Sequence, residues 1–320
     1  MESTDPAVAL SARRKLTTVE AVVATLGFPL LITLGIGAHI AAIERGLDPN
    51  LSGTILIVSS YAVIAIAERF IPWQRSWLHS QGDVRTDIGL ALSNAVVTGV
   101  LGPAVLAGVA LLGAAASEAI GSGLWPMHWP WLAQLALALV LAELGEYSFH
   151  RAMHELPSLW RLHATHHSAP RLYWLNAARF HPIDLFVVTV LKGIPLVLLG
   201  APLAIFALVN VFSAIHGAYQ HANLPVRVGP LNWVFSLTEL HRWHHSKRMD
   251  EANHNYGGNL ILWDVVFGTR WLPDDRDPPE AIGIESLPRF PMGFFANLLV
   301  PFRWKKVEAE ASASSGTQPT

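Results

Sequence analysis

The 320-residue chain contains no cysteine. Disulfides, thiolate nucleophiles, iron–sulfur clusters and Cys-type zinc sites are therefore excluded. Charge is scarce as well: only 14% of residues are Asp, Glu, Lys or Arg, against about 25% in ordinary soluble proteins. The formal net charge of −2 provides no basic footprint, so no nucleic-acid partner is expected. No GxGxxG follows a strand pattern, and there is no phosphate loop. HELPS at His154 lacks the second histidine of HExxH, which removes the zinc-protease reading.

Apolar length is what the chain has in quantity. Hydrophobic residues make up 52% of it, and the mean hydropathy is +0.36. A bilayer-spanning helix needs about 20 apolar residues, and four runs qualify: Val19–Ile43, Leu51–Ala67, Ile88–Ala116 and Trp131–Tyr147. A fifth region, 185–213, is broken by Lys192, Gly193 and Pro195, then by Gly200 and Pro202. It predicts two shorter helices forming a hairpin or re-entrant pair. The first run reads as a signal anchor rather than a cleaved signal peptide. Arg13, Arg14 and Lys15 precede that run, and Arg69, Arg75 and Arg85 lie in the second loop. The first loop carries only Arg45, and the third carries no basic residue. The positive-inside rule then places the N-terminus, the second loop and everything polar after Tyr147 in the cytoplasm. The expected organisation is a cytoplasmic segment 1–17, a membrane-embedded catalytic domain 18–306 and a disordered tail 307–320.

Eight of the 15 histidines fall in three tight groups. These are His150 and His154 in HRAMH, His163, His166 and His167 in HATHH, and His241, His244 and His245 in HRWHH. Imidazole is the commonest side-chain ligand for iron and zinc. Spacings of i, i+3 and i+4 put the rings of each group on one face of a helical turn. One ion takes about four ligands, so eight histidines suit two ions side by side. In HxxHH, two rings can chelate one ion while the third reaches its neighbour. His221, in QHANL, returns beside the cluster and is an expected further ligand. His181, in ARFHPID, and His216 stand as ligand, supporting or core histidines. His254 reads as solvated or supporting, and His39, His79 and His128 as unrelated. Metal-bound imidazole usually donates its other N–H to a carboxylate or carbonyl. Glu146, four residues before His150, and Glu239, two before His241, are candidates for that role, with Asp184 next.

Taken in order, HRAMH, HATHH, FHPID, QHANL and HRWHH resemble the fatty acid hydroxylase and sterol desaturase superfamily. ERFIP, GDVRTD and NYGGNLILWDVVFGT add to the likeness, which covers Glu68 to Phe302. The final motif with NYGG is also similar to that of the alkylglycerol monooxygenases. The resemblance implies an all-α integral membrane helical bundle, with a cytoplasmic histidine-rich cap that holds a dinuclear iron centre. Its ligands carry over to His150, His154, His163, His166, His167, His241, His244 and His245, with His221 beside them. His181 matches an FHP element of some relatives, whereas His216 has no dependable counterpart.

The function expected on these grounds is O2-dependent hydroxylation or desaturation of a membrane lipid by two iron ions, with zinc as a ready substitute on purification. The protein would be a multi-pass protein of the cell inner membrane with its site on the cytoplasmic side. Its lipid would enter laterally between the broken hairpin and the fourth span. Electrons would come from a ferredoxin or cytochrome b5-like partner docking on Arg151, Arg161, Arg171, Arg179, Arg242, Lys247 and Arg248. Two other readings stay open at this stage. One is a histidine-rich membrane metal transporter, which would need ligands strung through the bilayer midplane. The other is a non-catalytic lipid-binding relative.

Overall fold

The computed structural model describes residues 14–120 and 123–315. Helix α1 (Thr18–Glu44) opens on a reciprocal cap: Thr17 accepts from the Glu20 amide, and Glu20 accepts from the Thr17 amide. Asp48 caps α2 (Pro49–Phe70) by accepting from Leu51, with Pro49 set at the first turn. Next come α3 (Val84–Ile120), α4 (Trp131–Glu155) and the short α5 (Pro157–His167). A 3₁₀ turn at Trp174–Ala178 leads to α6 (Pro182–Leu198) and α7 (Leu203–His221). The remainder is short: α8 (Thr238–His244), α9 (Met249–Ala252), α10 (Leu262–Val266), α11 (Phe294–Leu299) and α12 (Trp304–Ser315). No strand occurs among the described residues, only two isolated bridges, so the fold is all-helical.

Among the described residues, five helices are long and apolar enough to cross a membrane: α1, α2, α3 (over Val84–Leu111), α4 and α7. Their outer faces carry exposed Leu34, Ile55, Leu92 and Val96, the surface a helix shows to lipid. Their inner faces form one core from Phe28, Ile32, Ile64, Leu139, Leu208 and Ile215. Helix α6 packs between α3 and α4, and α7 packs on α1, α2 and α4. Close approach of α4 to α6 needs a glycine, because a Cβ on Gly145 would lie 2.8 Å from the Leu191 carbonyl oxygen.

Two stretches differ from the reading of the sequence. The region 185–213 does break in two, at Gly200, whose φ of +78° lies in the left-handed region open to glycine. Its second arm, however, continues past Ser213 to His221 and qualifies as a fifth span. Ser213, His216 and Gln220 lower the apparent hydropathy there, although His216 and Gln220 are buried against protein. The segment expected to be a disordered tail from Val307 is helical to Ser315. Val307 and Ala311 are buried with Trp304, Ala164 and Leu287 in a second small core. Residues 1–13 of the expected N-terminal segment and 316–320 of the tail lie outside the described residues.

The segment joining α5 to α6 is braced from below. Arg171 donates to Asp83 (2.6 Å) and Arg179 to Asp87, and all four side chains are buried. Asp87 also accepts from Tyr173 (2.7 Å) and Asn176 (3.0 Å). These contacts explain GDVRTD: its two aspartates start α3 and pin the chain that follows the second histidine group. Arg242 is buried too, donating to the carbonyls of Ala222 (2.8 Å) and Leu224 (2.6 Å). Arg171, Arg179 and Arg242 are therefore structural, and the expectation that they face a docking partner is corrected. Removing one member of a buried pair costs about 3–5 kcal/mol, against about 0–1 for an exposed pair. Thermal unfolding in mild detergent should accordingly show a large loss of stability for Arg179→Gln. Arg248→Gln, whose half-exposed guanidinium meets Asp250 at 2.6 Å and Glu251 only at 3.8 Å, should stay close to wild type.

Candidate metal centre

Four elements meet at one end of the bundle. The last turns of α4 carry His150 and His154, and α5 carries His163, His166 and His167. The end of α7 carries His221, and α8 with the residue after it carries His241, His244 and His245. All nine are buried. They form two groups, His150, His154, His163, His167 and His244 in one, and His166, His221, His241 and His245 in the other. Within each group the ligand nitrogens lie within 4.8 Å of one another. The HxxHH motifs divide in opposite senses. His163 and His167 join the first group while His166 reaches the second; His241 and His245 join the second while His244 reaches the first. The groups abut, with the His167 and His245 rings stacked at 4.5 Å between centroids.

The outward-facing nitrogens fix the tautomers. A carbonyl oxygen only accepts, so an imidazole nitrogen bonded to it must carry the proton. His150 Nδ1 donates to the Tyr256 carbonyl (2.6 Å) and His244 Nδ1 to that of His254 (2.8 Å). His166 Nδ1 donates to the Arg179 carbonyl (3.3 Å) and His221 Nδ1 to that of Gly217 (2.9 Å). His163 Nδ1 donates to the Asp184 carboxylate (2.9 Å). In each of these neutral rings Nε2 is then a bare lone pair aimed inward. Nε2 of His150, His163 and His244 is buried and has no hydrogen-bond partner. In the second group His166 Nε2 lies 3.3 Å from His221 Nε2 and 3.1 Å from His245 Nε2. His241 Nε2 lies 3.0 Å from Nε2 of both His221 and His245, closing a ring of four. Converging buried lone pairs repel and lack donors, and a cation at the centre of each group satisfies them all at once. The donor set therefore fits two metal ions.

Burial, then the neighbouring imidazoles, hold the His163, His166, His167, His241, His244 and His245 rings well below the usual imidazole value. Neutral rings are the form that binds metal.

The other expected positions fall as follows. Asp184 orients His163. His181 caps α6, accepting from the Ile183 amide at Nδ1 (3.2 Å) and donating from Nε2 to the Leu298 carbonyl (3.2 Å), outside both groups. His216 is buried among Phe28, Phe212 and Phe235 with both nitrogens unpartnered, also outside both groups. Glu146 does not orient His150; it holds Lys192 at 2.6 Å. Glu239 accepts from Asn232 (2.7 Å). His39 bonds Ser52 (3.2 Å) far along α1.

The loop 253–259 adds supporting residues that the sequence reading does not name, beyond His254, whose supporting role it holds through its carbonyl. This loop supplies the carbonyls of Tyr256 and His254, and Asn253 Oδ1 meets His154 Nδ1 at 3.2 Å. Asp264 holds the loop by accepting from the Tyr256 and Gly257 amides (both 2.8 Å), and Glu143 accepts from those of Gly258 and Asn259. A Cβ on Gly258 would overlap the Glu146 carboxylate. NYGG is thus the only local signal of the loop, since glycine is what lets the backbone approach so closely.

The comparisons with known proteins agree with this geometry. The family model for fatty acid hydroxylase matches residues 135–269, which include both histidine groups. An ornithine lipid hydroxylase of Rhizobium tropici is 39% identical over 289 residues, covering 89% of this chain and 86% of that one. The alkylglycerol monooxygenase of Danio rerio is 34% identical over 45% of this chain and 31% of its own length. A Δ7-sterol-C5(6)-desaturase of Nicotiana tabacum is 30% identical over 45% of this chain and half of its own length. No solved structure matches.

Two outcomes follow from the site. Replacing a group that orients a metal-bound imidazole costs about 10–100-fold in metal affinity. Asp184→Asn should therefore lose metal to a chelator that wild type resists, and His181→Gln should retain it. In the metal-free protein, the six rings with depressed values are neutral when folded and protonate on unfolding below about pH 6.5. Its stability should be full above that pH and fall as pH drops toward 5, with a slope of more than one proton in thermal melts.

Proposed function

The chain belongs to the fatty acid hydroxylase family, and we propose that its nine clustered histidines hold two iron ions for O2-dependent oxidation of a lipid C–H bond. The observation that carries the reading is the convergence of buried, unprotonated Nε2 atoms into two abutting groups. With all nine candidate nitrogens in one cap, a path of ligands through the bilayer has no support.

When bound, the iron pair would supply the redox chemistry in which O2, two electrons and two protons give hydroxylated lipid and water, or an alkene and two waters. The protein's contribution is positional. Imidazoles with protonated Nδ1 present only Nε2 to the ions, and the carbonyls of Gly217, Arg179, His254 and Tyr256 keep each ring from turning. Asp184 accepts the His163 proton-bearing nitrogen and so stabilises positive charge carried by that ring. Burial of all nine rings excludes bulk water from the reacting space.

The five apolar helices support a membrane setting for a lipid substrate. The basic residues that flank the second loop support a cytoplasmic face for the cap, in the cell inner membrane. Electrons are supplied by a ferredoxin or cytochrome b5-like donor. Within the lipid class, the relative that matches over most of both chains is an ornithine lipid hydroxylase, so an amino-acid-headed lipid is the first substrate to test.

Protein purified in mild detergent should carry close to two metal ions per chain. His166→Ala or His244→Ala should release metal and abolish turnover, while His79→Ala and His128→Ala should leave both near wild type. With iron restored, a donor and ¹⁸O2, the lipid product should carry one ¹⁸O if the outcome is hydroxylation. A metal content near zero or one in folded wild-type protein overturns the dinuclear reading.

A further inference from the structure

Helix α11 and the 3₁₀ turn after it (Val300–Phe302) carry a row of apolar side chains that nothing among the described residues covers. Phe295 is 77% exposed, Leu299 39% and Phe302 71%, at spacings of i, i+4 and i+7. The opposite side of this segment is fixed to the start of α3, where Phe294 lies against Gly89 and Thr86 donates to the Met292 carbonyl. The segment is therefore anchored at the first turns of a candidate span, the helix that also carries the exposed Ile88 and Leu92. It continues the lipid-facing surface of the bundle onto the cap.

The next residues are basic. Arg303, Lys305 and Lys306 join Arg161 of α5 around a cavity of about 480 Å³, with Phe302 and Trp304 in its wall and no carboxylate in its lining. Trp304 and Trp160 pack into the small core that fixes α12 against α5, so the cavity is held by tertiary structure. Arg161 Nε is buried there without a hydrogen-bond partner. Lys306 also reaches Glu310 at 3.7 Å, an exposed contact of little strength. The cavity further opens at the N-terminal end of α12, whose dipole favours an anion.

We propose that this pocket binds the phosphate of an anionic membrane lipid while the Phe295–Leu299–Phe302 row lies in the bilayer surface. Guanidinium and ammonium groups are the side chains that take a phosphate oxygen cluster. Aromatic rings beside basic residues are the pattern of a segment seated at the headgroup level. An acidic protein would answer the same charge, but it would leave the apolar row exposed or have to cover it. The continuity of that row with α3 favours the bilayer.

The test uses the full-length protein in nanodiscs of mixed phosphatidylcholine and phosphatidylglycerol, followed by native mass spectrometry. Wild type should retain one phosphatidylglycerol in preference to phosphatidylcholine by about tenfold. Arg303→Gln/Lys305→Gln/Lys306→Gln should lose that preference with unchanged metal content and thermal midpoint, and Lys305→Glu alone should weaken it. Equal retention of both lipids by wild type overturns the proposal, as does undiminished preference in both variants. A triple variant that keeps the lipid but is no longer reduced by an acidic donor, while dithionite still reduces it, would assign the pocket to protein docking and also overturn it. None of these readouts requires turnover, so they stand apart from the assignment of the chemistry.

Discussion

Buried lone pairs that face one another are the constraint around which this cap is arranged. Once Nδ1 of a ring is tied to a carbonyl or carboxylate, its Nε2 has neither proton nor water to meet. Five such rings are fixed by the bonds to Tyr256, His254, Arg179, Gly217 and Asp184. Four of the five acceptors are backbone carbonyls, which hold no net charge and cannot titrate. The orientation of these rings therefore depends on where the chain runs, and the rest of the structure serves to place the chain.

That placement is divided between the two ends of the site. On one side, Asp83 and Asp87 at the head of α3 fix Arg171 and Arg179, and with them the carbonyl that orients His166. On the other, Glu143 and Asp264 gather the amides of residues 256–259, and with them the carbonyl that orients His150. Asp184 meets His163 directly, whereas Asp83, Asp87, Glu143 and Asp264 act one step further out, through the chain that carries the orienting carbonyls. Glu146 shows the same displacement: it lies one turn from His150, yet its partner is Lys192 on the neighbouring helix.

Much of this was legible in the sequence. Apolar length gave the first four candidate membrane helices, and the spacing within HATHH and HRWHH predicted that each motif would divide, as its rings do between the two groups. The splitting of His163 and His167 from His166 follows directly from helical geometry. Contacts set by tertiary packing were not legible. Nothing local to Arg171, Arg179 or Arg242 distinguishes a buried bracing arginine from an exposed one, because their partners lie 88, 92 and 20 residues away. A carbonyl acceptor leaves no trace in residue type at all, so Tyr256 could be found only through the fold, and His254, a supporting candidate from sequence, acts through its backbone and not its ring. The helix at Trp304–Ser315 was hidden by its small polar composition, although Val307 and Ala311 supply the spacing that buries it.

The opposite division of the two HxxHH motifs ties the two groups to each other. Because α5 and α8 each lend side chains to both groups, neither helix can shift to adjust one group without disturbing the other. The two sites are mechanically a single object: strain introduced at one is felt at its neighbour through rigid helical turns. Loss of either motif removes side chains from both groups at once: HATHH gives two to the first and one to the second, and HRWHH one and two. The crossed arrangement is an interlock, and it makes the pair of groups, not either one alone, the structural unit.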